Sequence, residues 1–323
     1  MSRRSPLPLN FLKHHRPKLR LNEARIPPLS EESKQCLRNL ASYRYPKSKI
    51  SIPIPRSRSA AVLVALFVGR AGDLYVLLSR RSATLRTYAG DTSLPGGRVD
   101  PEDMTAEDTA RREAFEEIGL PQDRHKVPLL CILEPFIAGN DTIVTPVVVL
   151  ILDNTLRPIL NTAEVTTLFS HPLASFLSTT SPFSAEPESV EVPYHSSTEW
   201  HSTGPNGKQW AHRAHQFLTG REAGGIKPVF GLTASILIRV STIGYGREPD
   251  FEVHPPGSPS RDERFAWAMV SRPALREACD KEGLRADWEV LTRLAKGDTR
   301  RVDVKEKIAH KKGIWSADVW SKL

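Results

Sequence analysis

"PGGRVDPEDMTAEDTARREAFEEIGL", residues 95–120, decides how the rest of the chain is read. A Gly pair opens it, Gly119 all but closes it, and a helical spacing of apolar and charged positions lies between. At about 100° per residue, Glu113, Glu116 and Glu117 share an arc of roughly 100° on the helical wheel. Phe115 and Ile118 fall on the other side, where they are expected to bury against a sheet, while Gly119 stops the helix and Leu120 is an apolar anchor just beyond it. Like charges at these spacings cost a few tenths of a kcal/mol per pair, so the cluster calls for a cation. Hard divalent ions take oxygen ligands, and Mg²⁺ commonly keeps several waters beside one or two carboxylates and the phosphates of a substrate. Arg112 can hold a carboxylate with a two-pronged bond without filling a metal position. Gly96 and Gly97 let backbone groups approach where a side chain would collide. The plain alternative is a solvated helix whose glutamates pair with surface cations.

Working outward, strands flank this helix on both sides. "AAVLVALFV" from Ala60, a turn at Gly72 and Asp73, and "LYVLLS" from Leu74 read as a hairpin. Further strands are expected at 129–133 and 143–152, separated by the turn "AGND". Strands around a helix of this kind predict an α/β chain, a mixed sheet in an α/β/α sandwich. Ser30 can cap a preceding helix through "EESKQCLRNLASY", helped by Glu31 and Glu32 at the positive end of its dipole. Residues 161–177 read as a helical turn and a packed segment. Residues 178–225, rich in Ser, Thr, Pro, Glu and His, read as a poorly ordered, loop-like insertion around one strand at 209–218. "VFGLTASILIRVSTIG" returns as a helix, "HPPGSPSRDE" reads as a loop, and two helices end the pattern at 273–283 and 287–297. The expected organisation is an N-terminal arm and helix over 1–55, a catalytic domain over 56–245, and a C-terminal extension over 246–323.

Composition narrows the function classes. With 39% hydrophobic and 25% charged residues the chain falls in the ordinary globular range. No stretch reaches the roughly 18 apolar residues of a membrane-spanning helix. Cys36, Cys131 and Cys279 are scattered and lack metal-knuckle spacing. A net charge of +8 suits an anionic partner without choosing which. The N-terminal thirty residues are basic but lack a continuous apolar core, which argues for a flexible arm rather than a secretory signal. The last three residues, Ser321, Lys322 and Leu323, spell the carboxy-terminal address read by the peroxisomal import receptor.

"REAFEEIGL", 112–120, follows Gly96 and Gly97 in a pattern that resembles the Nudix hydrolase box. That family splits nucleoside diphosphates linked to another moiety. The resemblance implies a sandwich fold and Mg²⁺ or Mn²⁺ held by Glu113, Glu116, Glu117 and the Gly97 backbone. It further implies an orienting role for Arg112, with Glu113 a candidate proton acceptor. The first half of the box carries one extra residue, which leaves Glu102 or Asp103 as imperfect substitutes for its early glutamate. Upstream, "LLSRRSATLRTYAGDTSLPGG", 77–97, is similar to the signature of the coenzyme A diphosphatase branch, with Leu94 in place of Phe. The same branch commonly has the lengthened box. This resemblance implies coenzyme A or an acyl derivative as substrate, and Arg81, Arg86, Ser82 and Gly96 as substrate-binding residues. Guanidinium forks suit a diphosphate and a ribose 3′-phosphate. It also argues against nucleic acid as the partner. The alternatives are a Nudix enzyme for another nucleotide or an RNA cap, and a nonenzymatic nucleotide-binding module. Arg80 and Glu164 are weaker candidates, and no role is assigned to His125 or to the histidines of 195–215.

Overall fold

The computed structural model describes residues 21, 24–45, 52–183 and 192–298. Strand β1 (Ser59–Val68) is the spine of the sheet, because nearly every one of its positions is apolar and both of its faces are covered. The chain then turns into β2 (Leu74–Arg81), β3 (Thr92–Ser93) and β4 (Gly96–Arg98). Strands β5 (Leu129–Ile132), β6 (Phe136–Ile137), β7 (Ile143–Leu150) and β8 (Val165–Pro172) complete the sheet. The path runs β3-β2-β1-β7-β5, with β8 added to β2, β4 to β1 and β6 to β7. β1 and β7 run parallel from Ser59 opposite Ile143 to Leu66 opposite Leu150, while β2 and β4 meet β1 antiparallel. Parallel pairs need both faces covered, and here both are.

Alternate residues of the strands serve opposite layers. Ala61, Leu63 and Ala65 of β1 and Val147 and Val149 of β7 pack against helix α2 (Ala106–Ile118) through Ala106, Ala110, Ala114 and Ile118. On the other face Val64, Leu66, Val148 and Leu150 meet α1 (Glu31–Ser42) and α3 (Gly231–Tyr245). Ser30 caps α1 as expected, its hydroxyl accepting the Ser33 N–H. The result is the α/β/α sandwich with a mixed sheet.

Several expectations need correction. Phe115 does not bury; it is 54% exposed. Small alanines bring α2 close to the sheet along the arc centred on Ala114, and Phe115 lies a further ~100° round the wheel. Second, 165–172 is strand β8, bound to β2 from Tyr75 to Arg81. Its run of Thr, Val and Phe favours a strand, and only Leu173–Leu177 beyond it is a short 3₁₀ turn. Third, the polar insertion holds two strands rather than one, β9 (His195–Thr203) and β10 (Gln209–Phe217). They pair along their whole length, and β11 (Val229–Phe230) adds to β10. β9 is exposed on nearly all of both faces, so it carries no alternation to read. Residues 184–191 of the insertion lie outside the described residues.

Fourth, part of the expected loop at 254–263 opens a helix, α4 (Arg261–Ser271). Its signal was Ser-x-x-Glu: the Ser260 hydroxyl accepts the Glu263 N–H and the Glu263 carboxylate accepts the Ser260 N–H, a capping box. Helices α5 (Pro273–Lys281) and α6 (Trp288–Ala295) appear where expected and bury Leu275, Cys279, Leu291 and Leu294 with Phe265 and Met269 of α4. Residues 1–20 and Ser321–Leu323 lie outside the described residues. The described end of the expected flexible arm, 24–30, is packed instead: Arg25 bridges Asp153 beside the sheet, its N–H donating to the Leu152 carbonyl at 2.9 Å, and Ile26 and Leu29 lie against the core, because their apolar side chains find a place to bury. No helix among the described residues is long and apolar enough to cross a membrane.

Candidate active site

Local caps set the length and aim of α2. The Thr105 hydroxyl accepts the Asp108 N–H at its start, and Gly119, at φ 66, turns the chain into the left-handed region that ends it. Between these limits the three glutamates do not form one exposed front. Their side-chain exposure falls from 50% at Glu116 through 16% at Glu113 to 3% at Glu117. The acid runs inward from solvent towards β4.

The inner end is built by the Gly pair. Gly96 N–H donates to Glu117 Oε2 at 3.1 Å, so the strand that pairs with β1 also holds the deepest carboxylate. Gly97 lies against the Glu113 carboxylate so closely that a Cβ there would overlap it. A side chain at that position would push the carboxylate aside. Burial raises the Glu113 pKa, against the pull of Arg112 and with the repulsion of Glu116 and Asp100. Burial likewise pushes Glu117 up to about 7; Gly96 N–H and Arg81 oppose it, while Glu113 and Glu164 reinforce it. Crowded acids that resist ionisation mark a place where a cation would be stabilising.

Arg112 organises the outer end. Its Nε and Nη2 grip Asp103 Oδ1 and Oδ2 at 3.2 and 3.0 Å, its Nη2 also donates to the Arg98 carbonyl at 2.9 Å, and Nη1 reaches Glu113 and Glu116 at 3.0 and 3.2 Å. One guanidinium therefore joins the lead-in loop to two of the three carboxylates. Of the two substitutes for the early glutamate, Asp103 is buried and meets Arg112, whereas Glu102 is exposed. Asp103 also accepts from Thr109 Oγ1 at 2.8 Å and from Asp100 N–H at 2.9 Å. Burial alone would raise its pKa, yet Arg112 and these donors together hold it below the usual value. The turn from Asp100 to Asp103, closed by Asp103 N–H on the Asp100 carbonyl, accommodates the longer lead-in.

The upstream candidates are placed unequally. Arg81, at the end of β2, brings Nη1 to 3.5 Å from Glu117 Oε1, and its Nε is buried with no hydrogen-bond partner. Ser82 is buried, its hydroxyl shared with Thr84 Oγ1 at 2.8 Å. Arg86 is exposed on the loop beyond it. Arg80 faces away from Arg81, beside Gly225. Glu164 comes close enough to raise the pKa of Glu117 and accepts from Asn161 Nδ2 at 3.3 Å. The structure thus brings Arg81, Gly96, Gly97, Arg112, Glu113, Glu116 and Glu117 together and leaves Ser82 and Arg86 at the margin. Asp91 and Lys227, which no sequence signal singled out, bind the same loop.

Among the described residues no three His, Cys, Asp or Glu side chains form a finished metal cage. Mg²⁺ or Mn²⁺ asks for less, since waters and substrate phosphates supply much of its shell. The all-oxygen donor set, the cradle at Gly97 and the crowding at Glu117 fit such an ion.

The NUDIX domain model matches residues 57–190. Nudix hydrolase 3 of Caenorhabditis elegans is 32% identical over 183 residues, 54% of this chain and 75% of that protein. The chain belongs to the Nudix hydrolase family. Two further relatives bear on the branch. Nudix hydrolase 15, mitochondrial, of Arabidopsis thaliana is 37% identical over 197 residues, 61% of this chain and 62% of that protein. Peroxisomal coenzyme A diphosphatase 1, peroxisomal, of Saccharomyces cerevisiae is 50% identical over 94 residues, 28% of this chain and 27% of that protein. The chain spans less than two thirds of the length of these two relatives. Similarity to the yeast protein agrees with the branch resemblance of 77–97.

Proposed function

We propose that this Nudix hydrolase cleaves the diphosphate of coenzyme A or an acyl derivative to adenosine 3′,5′-bisphosphate and 4′-phosphopantetheine or its acyl form. The observation that carries the reading is the meeting of the two motifs. Arg81, from the coenzyme A signature, ends β2 against Glu117 of the Nudix helix, so the residues that would greet the diphosphate border the acid that would hold the ion. The 50% identity to the yeast diphosphatase supports the same choice.

Glu117, Glu116, Glu113 and the Gly97 carbonyl would hold Mg²⁺ or Mn²⁺. The bound ion supplies polarisation of phosphoryl oxygen and a more acidic water. Arg112, locked by Asp103, keeps Glu113 and Glu116 from rotating away. Glu113, whose pKa burial raises, would take the proton of the attacking water. As water oxygen bonds to one phosphorus, the bridging P–O bond breaks and its electron pair leaves with the departing phosphate. Arg81 and Arg86 would meet the phosphate oxygens, with Gly96 and Ser82 shaping the wall. Peroxisomal residence through Ser321–Leu323 and the import receptor belongs to the same reading.

The test is turnover of purified protein with Mg²⁺ or Mn²⁺ on coenzyme A, on other dinucleotides and on capped RNA. Release of adenosine 3′,5′-bisphosphate is expected; its absence, with turnover of another substrate, overturns the assignment. Deletion of Ser321–Leu323 is expected to abolish peroxisomal import, and unchanged targeting would refute the address.

A further inference from the structure

Lys227 stands outside both motifs, two residues ahead of β11, yet it holds the signature loop. Its Nζ donates to the Ala89 carbonyl at 3.1 Å and pairs with Asp91 Oδ1 at 2.5 Å. Its own carbonyl accepts the Thr92 hydroxyl at 2.5 Å. The loop needs an outside tie. Tyr88 is held at φ 57, in the left-handed region that a bulky residue adopts only under constraint, and is 55% exposed. Within the loop, the backbone bonds are Leu85 N–H to the Ser82 carbonyl at 3.4 Å and Asp91 N–H to the Tyr88 carbonyl at 3.2 Å.

The far end of this tie reaches the site. The Asp91 carbonyl accepts the Arg81 N–H at 2.9 Å, and the Arg81 guanidinium approaches Glu117. Lys227, Asp91, Arg81 and Glu117 therefore form one mechanical series from the end of the polar insertion to the deepest carboxylate. The Lys227 side chain is 50% exposed and that of Asp91 17%, so solvent screens the pair and it adds little to folding. That is too little to be required by the fold, and its consequence falls on where the loop sits.

We propose that Lys227 is a positioning residue: through Asp91 it latches the 82–91 loop so that Arg81 and Arg86 are presented to the substrate's phosphates. The choice of substrate rests on the coenzyme A reading above; the latch does not. With coenzyme A and Mg²⁺, Lys227→Met and Asp91→Asn are each expected to raise KM about tenfold, with kcat changed less than about twofold. The double variant should be no worse than either single, because both cut the same link. Lys227→Arg should recover most of the loss. Hydrogen exchange at the Arg81 and Asp91 amides should quicken in Lys227→Met while Tm falls by no more than about 4 °C. The latch is overturned if KM and exchange stay at wild-type values in Lys227→Met. It is equally overturned if Lys227→Met raises KM but Asp91→Asn does not, since Lys227 would then touch substrate itself. A wild-type enzyme inert on coenzyme A defeats the substrate reading alone, and the exchange measurement, which needs no substrate, still decides the latch.

Discussion

The acidic helix α2 and the histidine-bearing hairpin β9–β10 both crowd titratable groups, and they resolve the crowding in opposite ways. In the hairpin, His215 Nε2 lies 2.9 Å from the Val253 carbonyl and His195 Nε2 lies 3.0 Å from His215 Nδ1. A carbonyl can only accept, so His215 carries its proton on Nε2 and accepts on Nδ1 from His195. Burial lowers the pKa of both rings and pushes His195 down to about 4. The pair is neutral and satisfied from within. At α2 the acids have no such exit: the single positive charge of Arg112 is divided among Asp103, Glu113 and Glu116, and Glu117 is left with one N–H and a distant guanidinium. A cluster that completes its own bonds is structure, whereas one that leaves charge uncompensated invites a ligand.

Replacing the residue that most embodies this difference should have the largest effect. Glu117→Gln is expected to cut kcat on the order of 10³-fold, the several kcal/mol that a metal ligand's charge supplies. In chelator at pH 8 it should not destabilise the protein, because a buried charge is removed; near-wild-type kcat would end the contrast. Gly97→Ala places a methyl in the space of the Glu113 carboxylate. A loss of about 10²-fold in kcat is expected from that displacement, with KM little changed.

The two regions should also respond to pH with opposite signs. Glu117 binds its proton more tightly folded than unfolded, so in chelator the stability it contributes is present below about 4.5 and is lost as pH rises through about 7. The size is on the order of 3 kcal/mol, and Glu117→Gln or added Mg²⁺ should flatten the slope in thermal melts. His195 has a depressed value, so its contribution is present above about 6.5 and is lost as pH falls through about 4, and burial lowers His215 in the same direction. His195→Phe should remove its share of that acid-side slope at a cost of about 1 kcal/mol, with kcat/KM unchanged. Smallest of all, Phe115→Ala should shift stability by no more than about 0.5 kcal/mol, as its exposure requires.

The acidic half of the candidate site was legible because its residues are close together in the chain. Spacing along one helix places Glu113, Glu116 and Glu117 within reach of one another, and a Gly pair announces a close backbone approach before any fold is known. Long apolar runs such as β1 and β7 announce strands buried on both faces. β9 was illegible for the converse reason: it has no buried face, so no alternation marks it, and its pairing with the expected strand β10, although local in the chain, is visible only in the hydrogen bonds between them.

What the chain determined by itself is therefore local: the helix and its caps, the acids it carries, the central strands, the family. Tertiary structure decided the rest. It graded the three glutamates by depth, gave Arg112 to Asp103 rather than Glu102, turned Phe115 outward, and joined Lys227 to a loop 136 positions away from it at Asp91. Periodicity specifies which residues share a face, but the depth of that face and its partners depend on what the sheet brings against it.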